Sequence, residues 1–386
     1  MSPSAYTDIK ISRDANHFGS PIKVPYTSIN MQIIPELLAH WPWPRAINPL
    51  YEEVSKEASC WFQSFKLFTP QSQHALDRGD SSRIAAMAVP HGSRDHLRSC
   101  MDYMHVLFTI DEYTDKQPPS TVRALVDSCL AIMHHDGYYD CPTVFDEFFA
   151  QFWRGAMDIA TPQSAKQLAS TVAEYLDGTY LEAEGMASDE ELCYERYLQV
   201  RLGSIGVRGF YAFCGLPLSI PDAVFQDPLF IELQYCGSEL MLLDNDIISY
   251  NRERATCIAK FNAITVTMDQ LRITYADAVE WLMDRIAQLE QRYMELHEDF
   301  MTRPYDSSTV REDVLQLLDL MGNLRAANYY WSFEGGRYFG LRGEETRKTH
   351  RCPMAPVQPR NWELRGEHVE VLLMDDALEQ SEILCK

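Results

Sequence analysis

Apolar residues recur along most of this chain at intervals of three and four positions, the spacing that gives a helix one buried face. Asn48 can cap a first helix, because Pro49 follows where a helix tolerates proline, and the apolar pattern continues to about Lys66. Further helical patterns cover about 71–88, 93–115, 120–135, 142–158, 163–187 and the stretch from Val314 to Trp331. No long segment alternates as a strand does. The pattern therefore predicts an all-α, single-domain helical bundle with short connections.

The two ends of the chain differ in composition from the helical body between them. Residues 1–45 are polar and interrupted by proline, so we expect an irregular N-terminal arm that lies across the helices. Residues 46–340 carry the helical patterns and form the predicted domain. After residue 340 the sequence is charged and contains several prolines, so residues 341–386 are predicted to form a linker and an accessory C-terminal tail without chemistry of their own.

Composition and charge narrow the class of protein. The chain has 386 residues, of which 46% are hydrophobic, so it can bury a large core. A formal charge of −22 argues against nucleic acid and anionic membrane surfaces as partners. The ten cysteines include no C-x-x-C pair, and several lie in apolar helical patterns, so we expect reduced thiols and a cytoplasmic protein. No signal peptide or membrane span is predicted, and the chain is expected to be a monomer or a homodimer.

Three oxygen-bearing side chains recur at every fourth position of one helical pattern. Asn245, Ser249 and Glu253 therefore lie along one helix face. An amide, a hydroxyl and one carboxylate are too weakly charged to enclose Mg²⁺ alone, but they can share it with phosphate oxygens. The same spacing also occurs on the solvated face of an ordinary helix. Met241 and Leu242 precede the stripe on the same face, so it continues an apolar one and favours a site for a phosphorylated ligand.

A second acidic group ends another apolar stripe. Ser93 is a plausible helix cap, and the helix that follows brings Phe108 and Asp111 onto one face, just before Asp115. Burying an unpaired carboxylate is costly, so carboxylates beside an apolar channel need a cation or access to water. In an acidic chain, the alternative interpretation is a solvated helix end.

Two glycines interrupt the helical pattern of residues 197–208. Glycine inside a helix costs about 0.5–1 kcal/mol relative to alanine, so Gly203 and Gly206 indicate either a helix break or tight helix packing. The residues alone leave both interpretations open.

Taken in order, the motifs resemble those of class I terpene synthases, specifically microbial sesquiterpene synthases. The ordered set is Asp111-Glu112-x-x-Asp115, Arg201, Asn245-x-x-x-Ser249-x-x-x-Glu253 and Arg337-Tyr338. The resemblance covers about residues 45–340. The stretches Asn48-Pro49-Leu50-Tyr51-Glu52-Glu53 and Trp331-Ser332-Phe333-Glu334-Gly335-Gly336-Arg337-Tyr338-Phe339-Gly340 resemble the basidiomycete fungal branch, and within it the protoilludene synthases.

The resemblance implies a terpene cyclase with a central cavity, a carbon–oxygen lyase that ionises farnesyl diphosphate and cyclises it to a sesquiterpene hydrocarbon. It implies three Mg²⁺ ions and release of diphosphate, with 1,11-ring closure on the route to protoilludene. The implied metal ligands are Asp111, Asp115, Asn245, Ser249 and Glu253. The implied catalytic residues are Asp111, Arg201, Arg337 and Tyr338, and the implied substrate-binding residues are Arg201, Arg252, Arg337, Tyr338, Phe108 and Trp331.

Within this set, Arg201 takes the place of a diphosphate-sensing arginine that precedes a helix break formed by Ser204 and Ile205. Arg208 is the rival candidate for that sensor. The aromatic rings of Phe108 and Trp331 would stabilise positive charge in the cavity.

Three other functions remain open. A chain-elongating prenyltransferase shares the fold and substrate class, but it resembles a family with two Asp-rich motifs, whereas the second motif here is Asn-Ser-Glu. A sesquiterpene synthase with a different cyclic product is possible, because cavity shape selects the product and no motif encodes it. A non-catalytic helical binding protein is disfavoured by the intact metal and arginine positions. The terminal base is not identifiable from the sequence.

Overall fold

A computed structural model describes residues 30–357 and 369–384 of the chain. The predicted all-α fold is confirmed, since the described residues form helices with only two short strands, β1 (Met31–Ile33) and β2 (Arg351–Pro353). The helices are α1 (Tyr51–Ser64), α2 (Pro70–Gly79), α3 (Ser81–Ala88), α4 (Arg94–Thr114), α5 (Pro119–His134), α6 (Val144–Ile159), α7 (Pro162–Ala187), α8 (Tyr194–Ser204), α9 (Val207–Cys214), α10 (Asp222–Phe225), α11 (Pro228–Ala255), α12 (Ala263–Leu271), α13 (Tyr275–Thr302), α14 (Ser308–Glu334), α15 (Gly343–Thr349) and α16 (Met374–Leu384).

Side-chain caps explain where several helices begin. The Ser93 hydroxyl accepts a hydrogen bond from the backbone N–H of His96 at 3.4 Å, as expected for the cap of α4. Thr143 and Asp146 satisfy each other's backbone N–H groups in a capping box at the start of α6. The helices predicted over 93–115, 120–135, 142–158 and 163–187 are therefore found within two residues of their predicted bounds.

The prediction of one continuous helix over 71–88 is wrong. Asp80 has a left-handed backbone with φ of 46° and separates α2 from α3. Its carboxylate accepts hydrogen bonds from the Tyr51 hydroxyl at 2.6 Å and from Arg83 Nε at 2.7 Å. These contacts stabilise a backbone conformation that an aspartate adopts only with local support.

The first helix also starts later than predicted. It begins at Tyr51 rather than Pro49. The Asn48 side-chain oxygen still accepts a hydrogen bond from the backbone N–H of Leu50 at 3.0 Å, as a capping residue does. The Asn48 amide donates to the carbonyl oxygens of Val89 at 2.8 Å and Gly92 at 2.9 Å. Asn48 therefore ties the start of α1 to the end of α3.

Helix α11 is the central element of the bundle, and almost all of its residues after Phe230 are buried. Its buried carboxylates have arginine partners on neighbouring helices. Arg325 of α14 binds Asp244 with Nε at 2.7 Å, and Arg285 of α13 binds Glu239 at 2.7 Å. Charges that would otherwise be costly to bury are thus paired, and they hold α13 and α14 against α11.

The N-terminal arm and the segment after α15 cross α11 together. Strand β1 pairs antiparallel with β2, with Met31 opposite Pro353. From β1, the Gln32 amide donates to the carbonyl oxygens of Ile247 and Ile248 at 2.7 and 2.9 Å. The expected arm across the helices therefore exists from residue 30 onwards, while residues 1–29 lie outside the described part.

The segment after residue 340 is more structured than the predicted linker. It contains a 3-10 turn at Gly340–Arg342, then α15 and β2. Residues 358–368 lie outside the described part, and α16 follows. The Asp375 carboxylate accepts hydrogen bonds from the backbone N–H of Leu341 at 2.6 Å and from Arg78 at 3.2 Å. The tail therefore packs against α2 and the segment that follows α14. Within the described ranges, every helix is too short or too polar to cross a membrane.

Candidate active site

One cavity in the bundle is lined by all eleven residues that the sequence predicted as metal ligands, catalytic residues or substrate-binding residues. It measures about 1290 Å³ when the space at its mouth is included. Its walls come mainly from α4, α7, α8, α9, α11 and α14. The eleven residues are Phe108, Asp111, Asp115, Arg201, Asn245, Ser249, Arg252, Glu253, Trp331, Arg337 and Tyr338.

Two of the helices pass from apolar to oxygen-bearing residues within the cavity. On α4, Phe108 precedes Asp111 by one turn, and on α11, Met241 precedes Asn245 by one turn. The other apolar residues of the lining include Leu107, Phe210, Phe261 and Leu324. The cavity therefore joins a polar region to an apolar one.

The oxygen-bearing stripe of α11 faces this cavity. Ser249 donates to Glu253 Oε1 at 2.5 Å, and the Asn262 amide donates to Glu253 Oε2 at 2.9 Å. The Asn245 amide nitrogen donates to the Tyr338 hydroxyl at 3.0 Å, and its oxygen accepts from Arg201 at 3.3 Å. The three side chains are thus held in place by neighbours, while they still line the cavity.

Asp111 and Asp115 at the end of α4 also line the cavity, and they lie close to other negative charges. Burial raises the pKa of Asp111 to about 6, although Arg337 and Arg201 act against this. Burial, followed by repulsion from Asp111 and Glu112, holds the pKa of Asp115 well above its ordinary value. The Tyr175 hydroxyl donates to Asp111 Oδ1 at 3.3 Å.

On α11, burial and then the charge of Asp246 raise the pKa of Glu253 to about 7. Asp111 and Asp115 at the end of α4 and Glu253 on α11 are therefore harder to ionise than usual, because each is buried near other negative charges.

Three arginines complete the polar region. Arg201 lies 3.4 Å from Asp246 and 3.7 Å from Glu182, measured between side-chain nitrogen and oxygen. Arg252 and Arg337 both bind Glu112 Oε1, at 2.5 and 3.0 Å. Within residues 30–357 and 369–379, the buried Nε atoms of Arg201 and Arg337 have no hydrogen-bond partner, so each retains a donor for a ligand.

Both interpretations of the glycine pair hold, one at each glycine. Helix α8 ends at Ser204, and Gly206 has φ of 71°, so the break falls at Ile205 and Gly206 rather than at the predicted Ser204 and Ile205. Gly203 instead packs closely on Gly178 of α7. A Cβ atom built onto Gly203 would lie only about 3.2 Å from the Cα of Gly178. The Ser204 hydroxyl donates to Glu182, which links the break to α7.

The rival sensor Arg208 points to a different environment. It binds Glu174 and lies over the Tyr235 ring, 4.7 Å from the ring centroid. Arg208 is absent from the cavity lining, whereas Arg201 is part of it. The geometry therefore favours Arg201 as the arginine that can reach a ligand.

Sequence reasoning missed one acidic residue of the cavity, Glu182. Glu182 lines the cavity from α7, next to Thr179, and Tyr175 lies one turn further back. Their spacing of three and four positions was a detectable signal, because it marks one helix face. Glu112 was recognised only as part of the acidic motif, and its two arginine partners could not be read from the sequence.

The set of donors fits a hard divalent cation. Four carboxylates and three arginines line the cavity, so the protein alone offers no excess of positive charge for a diphosphate. All five predicted metal ligands present oxygen, as Mg²⁺ prefers. Within the described ranges, no group of three or more His, Cys, Asp or Glu side chains could hold a metal ion. A bound ion would therefore draw on neutral side-chain oxygens and on oxygens of the ligand.

Comparison with known proteins identifies the class. Residues 102–292 match the family described as terpene synthase family 2, C-terminal metal binding. Sesquiterpene synthase 14 of Postia placenta is 36% identical over 347 residues, covering 89% of this chain and 98% of that protein. Delta(6)-protoilludene synthase 18 of the same fungus is 35% identical, covering 89% of this chain and 99% of that protein.

The fold agrees with this match. Germacradien-4-ol synthase from Streptomyces citricolor superposes with a TM-score of 0.65 at 19% identity, covering 75% of this chain and 98% of that one. The chain belongs to the terpene synthase family. Residues 102–292 match the metal-binding part that the family description names. Within that family it is a terpene cyclase of the basidiomycete sesquiterpene synthase branch.

Proposed function

We propose that this enzyme uses Mg²⁺ to ionise farnesyl diphosphate and cyclises the resulting cation to a sesquiterpene hydrocarbon, with release of diphosphate. The observation that supports this most strongly is the meeting of all eleven sequence-predicted residues in one cavity. The similarity to Delta(6)-protoilludene synthases favours 1,11-ring closure on the route to protoilludene. Protoilludene is the most specific element of this proposal, because the shape of the cavity selects among the cyclisation routes.

The metal ligands in this proposal are Asp111 and Asp115 from α4 together with Asn245, Ser249 and Glu253 from α11. Bound Mg²⁺ supplies positive charge that neutralises the diphosphate and stabilises it as a leaving group. Glu253 is oriented for this role by Ser249 and Asn262, which hold one carboxylate oxygen each. Such supporting hydrogen bonds fix the direction of a ligand before the ion arrives.

The diphosphate also needs hydrogen-bond donors, and the arginines supply them. Arg252 and Arg337 are positioned by their shared partner Glu112, and Arg337 has an unused Nε. Arg201 and the Tyr338 hydroxyl flank Asn245 and complete the set. Charge-assisted hydrogen bonds of this kind are shorter and stronger than neutral ones.

Arg201 is suited to sensing because of what lies behind it. Its ion pair with Glu182 reaches the same carboxylate that accepts a hydrogen bond from Ser204 at the end of α8. A change in the position of Arg201 on diphosphate binding would therefore be transmitted through Glu182 and Ser204 to the break at Ile205 and Gly206, which lines the cavity.

In the reaction, the allylic C–O bond breaks and both bonding electrons leave with the diphosphate. The remaining carbocation lies among apolar residues, where the ring faces of Phe108 and Trp331 each stabilise positive charge by about 0.5–2 kcal/mol. The cyclised cation then loses a proton to form the final double bond. Released diphosphate is the base that this cavity offers most directly, since it is held beside the cation.

The test is product analysis by gas chromatography and mass spectrometry with farnesyl diphosphate and Mg²⁺. We expect a cyclic sesquiterpene hydrocarbon and an equal amount of diphosphate, with both abolished by excess chelator. Parallel reactions use geranylgeranyl diphosphate, and farnesyl diphosphate with isopentenyl diphosphate. A longer prenyl diphosphate would instead identify an elongating enzyme, and binding without turnover would identify a non-catalytic protein. We expect Asp111→Asn to be inactive, and the matched control is Asp127→Asn, at an exposed residue of α5.

A further inference from the structure

A second cavity adjoins the first, and it is lined by different residues of α1, α2, α3 and α4. The two cavities share Phe108, Trp331 and Arg337. We call the second one the back chamber. Besides the shared Arg337, its polar lining consists of Ser59, Gln63, Asp77, Asp80, Ser81, Ser82 and His105. The space in which the centre of a water molecule fits is about 270 Å³ in the back chamber, far more than the ~10–15 Å³ that one water needs.

The innermost polar groups of the back chamber can serve as partners for water. His105 Nδ1 lies 3.3 Å from the Ser81 hydroxyl, and Nε2 lies 3.4 Å from the Ser82 hydroxyl. Burial lowers the pKa of His105 to about 3, so the ring is neutral and offers one donor and one acceptor. Buried water needs two to four polar partners, and this group provides them.

The Phe108 and Trp331 rings separate the back chamber from the active-site cavity. Their centroids lie 5.4 Å apart. The indole N–H of Trp331 donates to the carbonyl oxygens of Gly79 at 2.7 Å and Asp80 at 3.0 Å, which fastens the ring to the turn between α2 and α3. The Arg337 guanidinium lies 4.4 Å from the Phe108 centroid. We call Phe108 and Trp331 the aromatic wall.

We propose, on the basis of the proposed cyclisation, that the back chamber holds water and that the aromatic wall keeps this water from the carbocation. The wall would then decide that the product is a hydrocarbon and not an alcohol. Where water passes the wall, its oxygen lone pair forms a C–O bond to the cation. The resulting oxonium loses a proton to a second water or to the released diphosphate, leaving a neutral sesquiterpene alcohol. No oxidant or reductant takes part.

The first test opens the wall with Phe108→Ala in water enriched in ¹⁸O. We expect diphosphate release to continue and sesquiterpene alcohols that carry ¹⁸O to appear. The matched control is Phe210→Ala, which removes a ring of equal size from the active-site lining but not from the back chamber. The ratio of alcohol to hydrocarbon should be roughly ten-fold higher in Phe108→Ala, equivalent to a 1.4 kcal/mol change between competing barriers. Thermal melting curves show whether Phe108→Ala is folded. If it is not folded, Phe108→Leu is used in its place.

The second test identifies the source of the water. Adding His105→Leu to Phe108→Ala removes the central polar partner of the back chamber, and we expect the labelled alcohol to decrease. Unchanged alcohol in the double variant would mean that water enters through the mouth of the cavity, which overturns the proposal. The proposal is also overturned if Phe108→Ala still releases diphosphate but forms only hydrocarbons, without labelled alcohol. That result would leave the proposed function intact.

A third test does not depend on catalysis. A high-resolution crystal structure of the substrate-free enzyme should show ordered waters hydrogen-bonded to Ser81, Ser82 or His105. A dry back chamber overturns the proposal. Wild-type enzyme that releases no diphosphate would instead refute the proposed function itself, and the role of the wall with it.

Discussion

The Glu112 carboxylate accepts a hydrogen bond from Arg252 at 2.5 Å and so joins α4 to α11 in the interior of the bundle. Its side chain is 3% exposed, and the same oxygen also binds Arg337 at 3.0 Å. Glu112 is absent from the cavity lining, whereas Asp111 and Asp115 are part of it. The residues of the acidic motif therefore differ in position, because Glu112 holds the two arginines while Asp111 and Asp115 face the cavity.

We expect Glu112→Ala to lower the free energy of unfolding by about 3–5 kcal/mol, because it leaves two buried guanidinium groups without their carboxylate. Turnover should fall as well, since Arg252 and Arg337 lose the group that positions them. Urea unfolding measures the stability. The control is Glu344→Ala, which breaks an exposed pair with Lys348 and should leave the unfolding free energy nearly unchanged. Equal losses for the two variants would contradict the prediction.

Arg201→Lys should separate ligand recognition from folding. The substitution keeps a positive charge beside Glu182 and Asp246, whereas alanine would leave both carboxylates unpaired. It removes the planar fork that can bind diphosphate, so kcat/KM should fall roughly 10–100-fold with little change in melting temperature.

The matched control for that experiment is Arg208→Lys, on the rival arginine that binds Glu174 outside the cavity. Its kcat/KM should stay close to that of the wild type. A larger loss of activity for Arg208→Lys than for Arg201→Lys would transfer the sensing role to Arg208.

Ser249→Ala tests the neutral part of the proposed metal site. Without the hydroxyl, Glu253 also loses the hydrogen bond that orients it, so half-maximal activity should need roughly ten-fold more Mg²⁺. Calorimetric titration of Mg²⁺ with diphosphate gives a second readout that does not depend on turnover. Ser238→Ala is the control on the same helix, because the Ser238 hydroxyl donates to the Gln234 carbonyl at 2.7 Å. Full turnover of wild-type enzyme in excess chelator would rule out metal dependence.

Gly178→Ala should force α7 and α8 apart at the break. An added Cβ would lie 2.6 Å from both the Gly203 carbonyl carbon and the Ser204 nitrogen, too close for any side chain. We expect a stability loss of about 1–3 kcal/mol and lower turnover, measured by urea unfolding and diphosphate release.

Gly155→Ala is the control, because nothing lies within 4 Å of its added Cβ on α6. It should stabilise the protein by about 0.5–1 kcal/mol and leave turnover unchanged. A neutral effect of Gly178→Ala would show that the two helices can separate without cost.

Stability should decline in acid partly because of His105. Burial, with a smaller contribution from Arg98, lowers its pKa to about 3 in the folded protein, while the unfolded chain has a histidine pKa of about 6.5. Between these two pKa values the unfolded state binds more protons than the folded state. The free energy of unfolding therefore decreases as the pH falls from about 6.5 towards 3. His105→Gln should flatten that decline in urea unfolding between these limits. Exposed His91→Gln is the control, and an unchanged slope in His105→Gln would contradict the assignment.

Local periodicity was sufficient for much of the fold. Helices α4 to α7 and α11 follow from apolar spacing and capping residues, because a helix is a local structure whose hydrogen bonds connect near neighbours. The break between α2 and α3 was missed, since the backbone of Asp80 depends on Tyr51 and Arg83, which contact it through side chains. Strands β1 and β2 were missed because each has three residues and its partner lies about 320 positions away.

The sequence by itself determined which side chains share a helix face, and this included Asn245, Ser249 and Glu253. It did so because four-residue spacing and helix geometry leave no other arrangement. Only the tertiary structure decided how those faces meet. Charge pairs such as Glu112 with Arg252 and Glu112 with Arg337 join segments far apart in the chain, and many such pairings are chemically equivalent before the helices pack. The position of the aromatic wall between two cavities was decided in the same way, since it depends on α4 and α14 meeting at one place.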